Sequence, residues 1–79
     1  MNTKITYKQG QYLAFIYYYK KLNKKAPAFR DFELYFEASP ASANSMIKKL
    51  VEKELIKKEA GISRSIELLI EKSELPDLD

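Results

Sequence analysis

A serine followed by proline at positions 39 and 40 fixes the start of a helix in this chain. The Ser39 hydroxyl can accept a free N–H of a first helical turn, and proline is well tolerated at the first helical position, where its missing N–H is no loss. Downstream, Ala43, Met46, Ile47 and Leu50 recur at helical spacing. That predicts a helix running to about Lys53 with these four on its buried side. Upstream, Pro27 ends a connection, and Ala28 to Phe36 reads as a short helix. Its expected buried set is Phe29, Phe32, Tyr35 and Phe36. A tight turn then joins two short helices.

The flanks complete the pattern. Thr6 can cap an earlier helix that runs to about Leu22, with Tyr12, Phe15, Ile16 and Tyr19 on one apolar face. Leu13 and Tyr18 widen that face, so this helix is expected to be clasped by the rest of the domain. After the third helix, Leu55 to Glu59 and Arg64 to Leu69 read as two short strands, with Ala60-Gly61 supplying the turn. Residues 71–79 contain Pro76 and four acids and read as an acidic extended tail. The order helix, helix, helix, hairpin predicts a mostly α domain over 1–70 with a small β-hairpin, a winged helix-turn-helix.

Composition narrows the function. With 79 residues the chain has room for one modest core. It has no cysteine and no histidine, which removes thiolate chemistry, zinc-finger ligands and the commonest general base. Glu52 and Glu59 lie among lysines, with no nucleophile–base pair and no glycine-rich phosphate loop nearby, so no enzyme and no cofactor or metal is expected. The apolar stretch Leu13 to Tyr19 is too short to span a bilayer and lacks a signal-peptide cleavage site, which points to the cytoplasm and to no membrane partner. The starting Met1 and the acidic tail favour a complete chain. Charge is uneven: residues 1–66 hold thirteen Lys or Arg against six Asp or Glu (+7), and residues 67–79 hold one against five (−4). A basic body suits a polyanionic partner, although a lysine-rich surface also serves solubility alone.

Several segments, in this order, carry a family likeness: Ile5-Thr6-Tyr7-Lys8-Gln9, Ala26-Pro27-Ala28, Ser39-Pro40, Ile47 to Lys53, and Gly61-Ile62-Ser63-Arg64-Ser65-Ile66-Glu67-Leu68-Leu69. Thr6 through Leu69 thereby resembles the N-terminal DNA-binding domain of LexA-type repressors. The resemblance implies duplex DNA as partner, base contacts on the N-terminal half of the third helix, and phosphate contacts at Ser39, at Lys53 and in the wing. The chain departs from the family in three ways. These 79 residues stop before any self-cleaving domain, the turn before Ser39 is one residue shorter, and Lys24, Glu37 and Glu54 stand where the family usually has glycine. In its short turn and its 74–78 segment it looks more like short stand-alone bacterial proteins of this type.

At about 100° per residue the core face of the third helix centres on Ala43, Ile47 and Leu50. The opposite face carries Ala41, Asn44, Ser45 and Lys48, with Ser42 and Lys49 on the flanks. Asn44 can pair with an adenine edge, Ser42 and Ser45 can donate or accept, and Ala41 can touch a thymine methyl. Ala41, Ser42, Asn44, Ser45 and Lys48 are therefore the candidate base readers. Lys49, Lys53, Lys58 and Arg64, with Ser39, are the candidate phosphate contacts, and Lys57 lies beside them. Arg64 stands out, since a wing arginine can enter a narrow minor groove. A solvated helix face explains the same pattern without DNA. Protein-interaction winged helices and plasmid or phage replication-control proteins also fit it.

Tyr17-Tyr18-Tyr19 cannot all face the core of one helix. Tyr17, with Leu34 and the tail's Leu75 and Leu78, is expected to form an exposed apolar patch that brings two copies together. The alternative is a tail that folds back over its own chain.

Overall fold

The computed structural model describes residues 5–79. Three helices, α1 (Tyr7–Asn23), α2 (Phe29–Phe36) and α3 (Pro40–Glu52), precede a hairpin of β1 (Ile56–Lys57) and β2 (Glu67–Leu68) and a 3-10 turn at Lys72–Glu74. The strands are antiparallel, with Ile56 opposite Leu68 and Lys57 opposite Glu67. This is a helix-turn-helix body with a hairpin wing.

Local chemistry starts each helix where the sequence predicts. The Thr6 hydroxyl accepts the Gln9 N–H at 3.1 Å, and the Gln9 side chain accepts the Thr6 N–H at 3.1 Å, a reciprocal cap. Ser39 does the same work for α3, accepting the Ser42 N–H at 3.1 Å ahead of Pro40. After the exposed Tyr7 and Lys8, every residue from Gln9 to Ile16 is buried, so two turns of α1 are enclosed on all sides. The helix is clasped, as its broad apolar pattern implied.

Against α1 lies the helix pair. Phe32 is completely buried, its ring stacked 5.2 Å from Tyr12 and edge-on to Phe15 at 5.2 Å. Phe36 stacks on Tyr12 at 4.3 Å. From α3, Ala43, Ile47 and Leu50 are fully buried and Met46 is half-buried. The rest of the expected buried set departs: Phe29 and Phe36 are half-buried, and Tyr35 is 45% exposed, its ring against Phe15 and its hydroxyl at the surface. A phenolic O–H needs a partner, and the rim supplies one in the Asp79 carbonyl at 2.8 Å.

The wing ladder is shorter than Leu55–Glu59 paired with Arg64–Leu69. Beyond the two paired positions it gains one bond, Leu69 N–H to the Leu55 carbonyl at 2.9 Å. The Ser65 hydroxyl accepts the Glu59 N–H at 2.9 Å and donates to the Ile62 carbonyl at 2.9 Å, taking up groups a longer ladder would use. Gly61 (φ 78°) and Arg64 (φ 57°) both sit in the left-handed region, which bends the chain out of strand geometry. A nine-residue loop, 58–66, replaces the tight turn.

Lys24, Glu37 and Glu54 have φ of 64°, 52° and 60°. Each follows a helix end, and Lys24 and Glu37 donate their N–H groups back to the Lys20 and Glu33 carbonyls. A side chain in this conformation costs about 1 kcal/mol, which glycine avoids at some entropic loss. Lys24→Gly, Glu37→Gly and Glu54→Gly are each expected to raise stability by about 0.5–1 kcal/mol. Urea unfolding should show a higher midpoint with unchanged slope. A lower midpoint for all three would mean that their side-chain contacts outweigh the backbone strain.

Candidate nucleic-acid interface

The outward face of α3 is assembled as the spacing predicts. Ala41, Ser42, Asn44, Ser45, Lys48 and Lys49 are all exposed, and the buried side is held by Ala43, Ile47 and Leu50. The first turn and a half of this face carries no charge, and its side chains are short. Such a surface suits the N-terminal half of the helix to a groove, while the exposed Glu52 at its C-terminal end would repel phosphate. Ser42 is engaged locally, since its hydroxyl accepts a hydrogen bond from Ser39 at 3.1 Å. Neither Lys48 nor Lys49 takes part in an ion pair among the described residues. Ser39 uses its hydroxyl as the helix cap, which leaves its exposed position at the positive end of the α3 dipole as its means of meeting an anion.

The other predicted phosphate contacts divide. Lys58 is exposed on the wing, its ammonium 5.7 Å above the Phe29 ring. Lys53 is half-buried and turns back toward the start of α1, donating to Gln9 Oε1 at 2.9 Å. Lys57 faces Glu67 across the hairpin at 3.6 Å, an exposed pair worth little.

Arg64 does not reach outward. Its left-handed backbone aims the side chain at the body, where one guanidinium nitrogen donates to the Tyr19 hydroxyl (3.1 Å), the Ala26 carbonyl (3.1 Å) and Asp31 Oδ2 (3.2 Å). The Tyr19 bond above all, with the nearby Asp31 charge, pushes its pKa upward. Asp31 Oδ2 also accepts the Ala28 N–H at 2.7 Å, at the start of α2. One carboxylate oxygen thus ties the helix-turn-helix to the wing. In this arrangement Arg64 holds the wing against α1 and the start of α2.

Pinning the wing brings together residues that spacing alone did not. Arg30, in the first turn of α2, shares a hollow with Lys58, Phe29 and the wing residues Gly61 to Ser65. Ile62, 56% exposed at the wing tip, presents an apolar side chain beside them. Arg30 at the start of α2 was a visible signal. Ile62 gave none, because the wing loop's shape depends on Ser65 and Arg64.

The tail does not supply the expected patch. Leu75 and Leu78 are half-buried against their own chain, while Tyr17 is half-buried and Leu34 is 65% exposed. The tail expected to be extended over 71–79 begins instead with the 3-10 turn at Lys72–Glu74, and 75–79, which form no helix or strand, lie on the body.

Among the described residues no group of His, Cys, Asp or Glu is arranged to hold a metal ion. No helix among them is long and apolar enough to cross a membrane. No protein-family model matches the chain, and no curated protein matches it.

Proposed function

We propose that this protein is a small, non-enzymatic transcription regulator of the bacterial cytoplasm that reads duplex DNA with α3 in the major groove and the wing on the adjacent backbone. The observation that carries the reading is the outward face of α3. Its N-terminal half is small, polar and uncharged, and Lys48 and Lys49 follow on the same helix outside any ion pair among the described residues. The resemblance to LexA-type DNA-binding domains supports it. Asn44, Ser45, Ala41 and Ser42 read base edges, with Lys48 at the edge of that surface. Arg30, Lys48, Lys49 and Lys58 meet phosphates, with the α3 N-terminus at Ser39. Arg64 and Lys53 hold the scaffold in place. Ile62 is a wedge of the kind that minor-groove contacts use.

The test is a fluorescence-anisotropy titration with random duplex DNA across a salt series. Four phosphate contacts, at Arg30, Lys48, Lys49 and Lys58, predict a log–log salt slope of about −3 to −4. Once a preferred site is selected, Asn44→Ala should lose about 1–3 kcal/mol of discrimination at one base pair and leave the slope unchanged. Absence of binding at low salt would overturn the reading.

A further inference from the structure

The seat that holds residues 75–79 is built to grip an extended peptide. Gln11 is 5% exposed, and its amide makes a matched pair of bonds to strap backbone: Nε2 donates to the Asp77 carbonyl at 2.8 Å, and Oε1 accepts the Asp79 N–H at 2.8 Å. The two bonds span Leu78, as a neighbouring strand would. Tyr35 adds a donor to the Asp79 carbonyl. Pro76 rides over Gly10, where a Cβ would stand 3.0 Å from the proline ring, so the seat needs glycine for its close approach.

Three features bear on which copy's strap fills it. Every hydrogen bond between seat and strap is made to strap backbone, so the seat cannot tell its own strap from an identical one. Residues 71–74, which join the strap to the wing, are exposed and form a turn closed by their own bonds (Glu74 N–H to Glu71, Leu75 N–H to Lys72). Among the described residues the hinge meets the body through the Lys72 ammonium, 5.8 Å above the Tyr17 ring, and through Ser73 and Glu74, which line a shallow hollow with Ile5, Thr6 and Tyr7. No hydrogen bond or ion pair among those residues ties it down. The strap is acidic and the body basic, so a second body attracts it, and Lys8 lines the same hollow as Asp79.

We infer that the seat formed by Gly10, Gln11 and Tyr35 is a homodimer interface element that accepts the 75–79 strap of a second copy, giving a reciprocally exchanged dimer. Exchange keeps every contact of the closed chain and needs only the 71–74 hinge to open, which makes it a low-cost route to two-fold symmetry. It requires no DNA, so it stands or falls apart from the function proposed above.

The chain's lack of cysteine makes the test direct. Lys8→Cys with Asp79→Cys places one thiol on each side of the seat and spares the Gln11 and Tyr35 bonds, which use the Asp79 backbone. The full chain carrying both is equilibrated over a range of concentrations and oxidised with diamide. Expected is a covalent dimer whose share rises with concentration, several-fold above a Ser45→Cys/Asp79→Cys control. Adding Gly10→Val, which crowds Pro76 but leaves a helix-compatible residue, should abolish that excess. A cross-linked monomer at every concentration, or a dimer share equal to the control or indifferent to Gly10→Val, would overturn the proposal.

Discussion

Phe32→Ala is expected to remove about 3–5 kcal/mol of folding stability, the largest loss from any single truncation in this domain. The chain is 79 residues long. Domains of this size hold roughly 4–12 kcal/mol in total, so the variant stands at or near the unfolding threshold. The cost is high because Phe32 is fully buried and joins two elements. It is the one completely buried side chain of α2, and it meets both Tyr12 and Phe15 of α1. The rings of Tyr12 and Phe15 are anchored on the enclosed half of α1 and cannot collapse into the space without moving that helix. Losing the two ring contacts adds to the cavity term. Tyr35→Ala offers the contrast. Its ring covers Phe15 from the rim, so its truncation should cost markedly less. Urea unfolding of both variants checks the pair. Equal losses would mean that the rim aromatic carries as much of the α1–α2 contact as the buried one.

What the sequence disclosed depended on how far apart the interacting residues lie. Caps are local: Thr6 with Gln9 and Ser39 with Ser42 are three residues apart, and both were legible. The buried side of α3 follows from helical period alone, and so does its outward face. The inward turn of Arg64 was hidden because its partners, Tyr19, Ala26 and Asp31, lie 33 to 45 residues away. A wing arginine and a pinned arginine look the same in a one-dimensional pattern. The wing's width was hidden for the same reason, since it depends on Ser65 bonding across the loop. Gln11 was the least legible of all. A glutamine inside an apolar helical run carries no sign that it will grip backbone 66 and 68 residues away. Conversely, the positive φ at Lys24, Glu37 and Glu54 was foreshadowed by their standing at positions where the resembling family has glycine.

Lys48→Glu with Lys49→Glu is expected to weaken binding to every duplex sequence by more than about 30-fold near 0.15 M salt, because two phosphate contacts contribute about 1.8 units of the salt slope. The reversed charges then repel the backbone they replace. Both side chains are exposed and lie away from the buried residues of α3, so the fold should persist. The last turn of a helix tolerates acids poorly, but that costs only a few tenths of a kcal/mol. Circular dichroism checks the fold, and anisotropy across the salt series checks the slope. Arg64→Ala separates the two kinds of cation. If its guanidinium stays on Tyr19, Ala26 and Asp31, removing it loosens the wing and lowers affinity while the slope holds. A slope that flattens as much for Arg64→Ala as for one lysine reversal would show that DNA draws the guanidinium away from Asp31. The wing would then be released at the moment it is needed, and the pin would belong to the free protein alone.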